Sequence, residues 1–165
     1  MIATVFKRPN QGRVKISKDV SNELERFIQN SINALEAGGL LLGRRIIDSS
    51  DIVIDLITTP SRFDIRKRRY FYRDSRVHQS IIEMMFKKSS GTCILLGEWH
   101  THPENYPTPS GYDISEWKRQ LKDTEIEDED LLFLIAGISE ITMWEASRKT
   151  GTLIKLERID GGYDY

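Results

Sequence analysis

The segment from Gly97 to Asp113 constrains the fold more than any other part of the chain. It reads Gly-Glu-Trp-His-Thr-His-Pro, then a Pro-rich loop, then Thr-Pro-Ser-Gly-Tyr-Asp. The run from Thr92 to Trp99 reads as a strand, and along a strand residues two apart share a face. His100 and His102 therefore project side by side, and Pro103 ends the strand. After the loop, Ser110 opens a helix whose Ile114, Trp117 and Leu121 face inward. A strand and a helix joined by a loop, with two imidazoles where the strand ends, belong to an α/β layer architecture.

Those residues also carry chemistry. Two imidazoles on one face can reach a single metal ion. Asp113, in the first turn of the following helix, can add an oxygen ligand. Two nitrogens, one carboxylate oxygen and an open fourth position make a catalytic zinc shell. A His-x-His pair alone is more often metal-free, and Ser110 with Asp113 alone is a helix capping arrangement. The capping and ligand readings are compatible, because a capped helix start is a rigid mount.

The remaining chain fits the same class. A short strand is expected near Ile2 to Lys7, then Ser17 caps a helix carrying Val20, Leu24, Phe27, Ile28 and Leu35 at helical spacing. Glu36-Ala-Gly-Gly breaks that helix. Leu40 to Ile47 reads as a buried strand, and Ile52 to Thr58 as an alternating one ended by Pro60. A helix from about Val77 places Ile81, Ile82 and Met85 on one face and stops at Gly91. Two or three strands follow the acidic loop Asp123 to Asp130: Leu131 to Ile138, Ile141 to Ala146, and Thr152 to Arg158. Interleaved helices and strands, with consecutive strands late, predict one α/β domain over residues 1–165, a mixed sheet flanked by helices.

Composition narrows the function classes. The 24 basic and 25 acidic residues leave a net charge of −1, which argues for neither a nucleic-acid nor a membrane partner. One cysteine, Cys93, rules out an internal disulfide and fits a reducing cytosol. The start has no charged-then-apolar leader, and no apolar run approaches a membrane span. The expectation is a soluble, cytoplasmic protein.

The spacing His-x-His, seven residues, Ser, two residues, Asp resembles the signature of JAB/MPN zinc metallopeptidases. Glu36-Ala-Gly-Gly-Leu-Leu-Leu-Gly43 is similar to that family's second motif. The resemblance implies the JAB/MPN fold, which is cytidine-deaminase-like, and a Zn²⁺ ion held by His100, His102 and Asp113. It further implies that Glu36 serves as general base then acid, and that Ser110 donates a hydrogen bond to the developing oxyanion. Family members with a full ligand set mostly cut the amide or isopeptide bond after the C-terminal glycine of ubiquitin or a ubiquitin-like protein. The wording around the histidines is similar to deconjugating peptidases of bacterial antiphage (CBASS) operons. That implies a protein substrate with an extended C-terminal tail, either ubiquitin-like or a cGAS-like nucleotidyltransferase conjugate. Two alternatives stand beside this reading: a JAB peptidase that processes a sulfur-carrier protein, and a non-catalytic MPN scaffold.

Strand parity nominates a competitor to Glu36. Glu98 shares the parity of His100 and His102, so it reads as base, ligand or partner to an imidazole. Trp99, Thr101 and Tyr112 read as packing or pocket-wall residues, Cys93 as a buried thiol, and His78 as a surface histidine. The run Arg62, Arg66, Lys67, Arg68, Arg69, Arg73 and Arg76, with Tyr70, Phe71 and Tyr72, reads as a solvated hairpin. By resemblance it can also help hold a partner's tail.

Overall fold

The structure, a computed structural model, describes residues 4–159. Ile2 and Ala3, at the start of the first expected strand, lie outside the described residues. The chain opens with β1 (Thr4–Lys7), β2 (Arg13–Ile16) and α1 (Lys18–Glu25). It continues through β3 (Gly38–Arg45), β4 (Ile52–Ile57), β5 (Ile65–Lys67), β6 (Tyr70–Tyr72) and α2 (Ser75–Lys88). Then come β7 (Ile94–Thr101), α3 (Gly111–Asp123), β8 (Asp130–Ala136), β9 (Ile141–Ser147), β10 (Leu153–Lys155) and β11 (Glu157–Ile159). Among the described residues one large sheet runs in the order β10-β9-β8-β7-β3-β4-β2-β1-β11. Its β7–β8 and β2–β4 pairs are parallel and the rest antiparallel, so the sheet is mixed as the sequence predicts.

Parallel neighbours need a crossover, and α3 makes the one between β7 and β8. β8 shows why its sequence is an unbroken apolar run. Leu132, Leu134 and Ala136 belong to one buried cluster that extends to Val20 and Leu24 of α1, while Leu131, Phe133 and Ile135 belong to a second with Trp117 and Leu121 of α3. Both faces of the strand that neighbours the histidines are thus buried. Each such side chain, fully buried, is worth about 1.5–3 kcal/mol. Trp117 stacks on Phe133 at a centroid distance of 4.8 Å, which seats α3 firmly against the sheet. Among the described residues no helix is long and apolar enough to cross a membrane.

The strand expected over Thr152 to Arg158 is split between β10, which pairs with β9, and β11, which pairs with β1 at the opposite edge of the sheet. Two further expectations require correction. The helix capped by Ser17 ends at Glu25, so Phe27, Ile28 and Leu35 lie beyond it. The backbone N–H groups of Arg26, Phe27 and Ile28 bond three residues back, which tightens the last turn and ends it. Gln29 then turns inward, its amide donating to the carbonyls of Ala34 and Arg68 while its oxygen accepts from Thr101 Oγ1. That buried amide is fully used, which a continued helix would not allow.

His78 is the second. It is 1% exposed, not a surface residue. Thr58 Oγ1 accepts from the Leu40 N–H at 2.7 Å, so its hydrogen is directed to His78 Nδ1 at 2.6 Å. His78 Nε2 then donates to Asp64 Oδ2 at 2.9 Å. Asp64 also accepts from the N–H groups of Ser61 and Asp74, closing the base of the β5–β6 hairpin. Replacing His78 by Ala strands a buried carboxylate and a buried hydroxyl. The expected loss is about 2–4 kcal/mol of stability, measured by urea unfolding.

Candidate metal centre

β7 carries His100 on the face covered by α3, its ring 6.1 Å from that of Trp117, and it is buried. Pairing with β8 continues past the strand's end, where the His102 N–H bonds the Ala136 carbonyl at 3.1 Å. This keeps the two rings together, with centroids 4.8 Å apart. The two Nε2 atoms are 3.1 Å apart. Asp113 faces both: its Oδ1 is 3.4 Å from His100 Nε2 and its Oδ2 is 3.2 Å from His102 Nε2.

Ser110 builds the mount for Asp113. Its N–H donates to Asp113 Oδ2 at 2.6 Å, its Oγ donates to the same oxygen at 2.7 Å, and the Asp113 N–H returns a bond to Ser110 Oγ. This is a capping box with an aspartate in the acidic position. Capping and ligand presentation therefore occupy the same residues.

The electrostatics fit a cation. Burial works against a charged His100, yet the hydrogen bond and charge of Asp113, with Glu98 and Glu36 nearby, outweigh it and raise its pKa. Burial also works against the Asp113 carboxylate, but bonds from His100, His102 and Ser110 hold its pKa far below the usual range. Two imidazole nitrogens and a carboxylate, their ligand atoms all within 4.8 Å of one another, form a borderline-soft nitrogen and oxygen donor set suited to zinc.

The centre opens into a cleft of about 650 Å³ that Glu36, Glu98, Tyr70, Tyr72 and Tyr112 help to line. Glu36 is partly buried just ahead of β3. Burial raises its pKa from 4.5 to about 7, against the lowering influence of His100 and His102. Glu98 lies in the same cleft, as strand parity predicts, but Arg73 Nη1 donates to its Oε2 at 3.2 Å. Among the described residues Glu36 carries no such ion pair to an arginine side chain, and its burial favours its protonated form. Trp99 and Thr101 point the other way and are buried, Tyr112 is exposed on the cleft wall, and the Cys93 thiol is buried with its pKa raised.

The basic stretch is the hairpin that the sequence predicts, β5 paired with β6, but its charges are not uniformly free. Arg66 donates to the carbonyls of Glu36 and Leu35, and Arg68 donates to those of Ser31 and Ala34. Arg76 pairs with Asp74 at the start of α2, and Arg69 lines the cleft. Sequence reasoning missed the Arg73 pairing and the work of Arg66 and Gln29, because each partner is remote in sequence or is a backbone carbonyl.

The chain belongs to the family of prokaryotic homologs of the JAB domain, which its residues 27–149 match. It is 34% identical over 154 residues to a CD-NTase/cGAS isopeptidase of Vibrio cholerae, covering 93% of this chain and 95% of that one. A CD-NTase/cGAS isopeptidase of Pseudomonas aeruginosa is 40% identical over 110 residues, 67% of this chain and 68% of that one. The solution structure of protein DSY2949 from Desulfitobacterium hafniense matches with a TM-score of 0.60 at 24% identity, covering 86% of this chain and 88% of that one. Family membership and the mixed sheet flanked by helices make this an α/β JAB/MPN fold.

The Glu36 environment yields a pH prediction for the metal-free protein. A carboxyl held near pKa 7 in the fold and near 4.5 when unfolded costs nothing below pH 4.5. Its cost then grows as pH rises to about 7 and is constant above that. Screening in a cleft open to solvent holds the cost to on the order of 1–2 kcal/mol. Glu36→Gln should therefore be more stable than the parent at pH 8 by that amount, and equal to it at pH 4. Paired urea titrations at the two pH values measure it.

Proposed function

We propose that this chain is a zinc-dependent isopeptidase that hydrolyses the bond after the C-terminus of a conjugated protein. The conjugated protein is ubiquitin-like or of the CD-NTase type, and the reaction reverses ubiquitin-like conjugation in bacterial antiphage (CBASS) defence. The observation that carries this reading is the convergence of His100, His102 and Asp113 at a cleft that Glu36 also lines. It is supported by the relatives of nearly equal length whose names are CD-NTase/cGAS isopeptidase. The complete ligand set speaks against a non-catalytic scaffold.

His100, His102 and Asp113 would hold the zinc, and the chemistry a bound zinc supplies is Lewis-acid polarisation of water and of the scissile carbonyl. The Glu36 carboxylate takes a proton from the attacking water and passes it to the leaving amine nitrogen. Its partly buried place on the cleft wall, beside the histidines, suits a group that must hold the proton between the two steps. Ser110 Oγ donates to the oxygen on which negative charge develops. The open cleft, walled by Tyr70, Tyr72 and Tyr112, gives an extended C-terminal tail a route to these groups. The proposed setting is the cytoplasm, where a buried thiol such as Cys93 stays reduced.

The test is incubation with a CD-NTase-type conjugate made by its own transfer enzyme, with and without a zinc chelator. Free nucleotidyltransferase should appear, chelation should stop its release, and added zinc should restore it. Cleavage of a sulfur-carrier fusion alone would move the substrate to that class.

Metal analysis of variants separates the residue roles. His100→Ala, His102→Ala and Asp113→Ala should each lose zinc and activity, and stoichiometric zinc in the double histidine variant would falsify the ligand assignment. Glu36→Gln should keep its zinc and cut at least about a hundredfold more slowly. Glu98→Gln should be mild in turnover, and a fall in zinc affinity of about tenfold would mark it as supporting an imidazole.

A further inference from the structure

We propose that Arg66 is a positioning residue whose guanidinium fixes the backbone of Glu36, and so sets where the Glu36 carboxylate stands in the cleft. The inference rests on the acid/base role proposed for Glu36. Residues 26–37 form neither helix nor strand, and on the C-terminal side of Glu36 the backbone of Ala37 is bonded to Thr101, which leaves Glu36 itself to be held from elsewhere. The hold comes from the hairpin. Arg66 Nε donates to the Glu36 carbonyl at 2.9 Å and Nη2 to the Leu35 carbonyl at 3.2 Å. The Glu36 N–H donates to the Lys67 carbonyl at 2.8 Å. Both backbone groups of Glu36 are therefore bonded to β5.

The guanidinium is itself fixed. Its carbon lies 5.9 Å from the Phe27 ring centroid, and Phe27 packs at 5.7 Å on Trp99, the residue before His100. One planar group thus ties the acid/base segment to the strand that carries the first imidazole. Arg can do this because it offers forked donors and a stacking face together, whereas Lys offers a point charge. A catalytic carboxylate displaced by about 1 Å can lose on the order of a hundredfold in rate. Loss of Arg66 leaves the cleft walls in place, so it should act on turnover more than on binding.

The experiment uses the full zinc-loaded chain and the conjugate described above. Arg66→Ala should lower kcat per zinc-loaded molecule at least tenfold, leave KM within twofold and leave zinc content unchanged. Arg66→Lys should recover part of that loss. Millimolar methylguanidine should raise kcat of Arg66→Ala without raising that of the parent or of Glu36→Gln. Independently of activity, amide hydrogen exchange at the Glu36 N–H should speed up at least tenfold in Arg66→Ala. Unchanged exchange at Glu36 overturns the inference whatever the substrate proves to be. So does a raised KM at parental kcat, which would make Arg66 a docking residue. Arg68→Ala, which removes the bonds to the Ser31 and Ala34 carbonyls instead, is the comparison for general loop support. Equal kcat losses in the two alanine variants without methylguanidine rescue would also overturn it. If the parent releases nothing from any conjugate, the functional reading fails, and the exchange result still decides the backbone clamp.

Discussion

The site depends on a close approach that only residues without side chains permit. Gly38 and Gly39 pair in antiparallel register with His100 and Trp99, which carries the segment before β3 alongside the end of β7. A Cβ at Gly39 would stand 2.0 Å from the Thr58 carbonyl oxygen, and one at Gly38 would stand 2.7 Å from the Phe71 ring. Thr58 is engaged from several sides. Its N–H bonds the Leu40 carbonyl, its carbonyl accepts from Trp99 Nε1, and its hydroxyl joins Leu40 to His78. Any larger residue at either glycine would push β4 or the hairpin off β3. Glu36 and the histidines, far apart in sequence, share a cleft because this pairing is undisturbed. Ala37 completes the junction, exchanging bonds with the backbone N–H and the hydroxyl of Thr101.

The hairpin adds a wall to that pairing. Its base is closed by Asp64, which His78 anchors to the end of β4 through Thr58. Its first strand bonds the backbone of Glu36, while Phe71 on the second lies over Gly38. A buried histidine with no part in the proposed chemistry is thus linked by direct contacts to the wall of the cleft. The two histidine environments differ in what they do with charge. His78 is enclosed by a hydroxyl and a carboxylate that use both ring nitrogens, so its polar capacity is spent on structure. His100 and His102 direct their Nε2 atoms at each other and at Asp113, a convergence of donor atoms that suits a shared cation.

Much of this was legible in the sequence, for identifiable reasons. Strand parity places His100, His102 and Glu98 on one face, and the Ser110 to Asp113 spacing gives both the helix start and the third carboxylate. Alternating and continuous apolar runs mark β4 and β8, because strand periodicity records burial directly. The apolar spacing overruns the first helix because Phe27 and Leu35 happen to extend it. The helix tightens and stops after Glu25, and Gln29 then turns inward to Arg68 and Thr101, partners no local pattern reveals. His78 carries no sign of burial in its neighbours, since Thr58 and Asp64 reach it from other elements. The basic run misled in a similar way. Arginines that bond backbone carbonyls look the same in sequence as arginines that face solvent.

Ser110 shows how closely structure and proposed chemistry are superimposed here. Its single hydroxyl hydrogen points to Asp113 Oδ2 at 2.7 Å, while its lone pairs accept the Asp113 N–H. The oxyanion role proposed for it requires that hydrogen to turn toward the cleft. The turn needs no change in the cap, because the bond from the Asp113 N–H and the bond from the Ser110 N–H to Oδ2 both remain. It does leave Oδ2 with one donor fewer, a cost a carboxylate bears easily only when another positive group takes up the charge. His102 Nε2, 3.2 Å from that oxygen, and any cation held between the ligands occupy the position from which that compensation would come. Under the proposed role the hydroxyl would be most available for a developing oxyanion with the centre charged, and otherwise it stays with the cap, 2.7 Å from Asp113 Oδ2. A threonine at this position would keep both the cap and a rotatable hydroxyl hydrogen, whereas an alanine would remove one acceptor from the helix start and the donor from the cleft together.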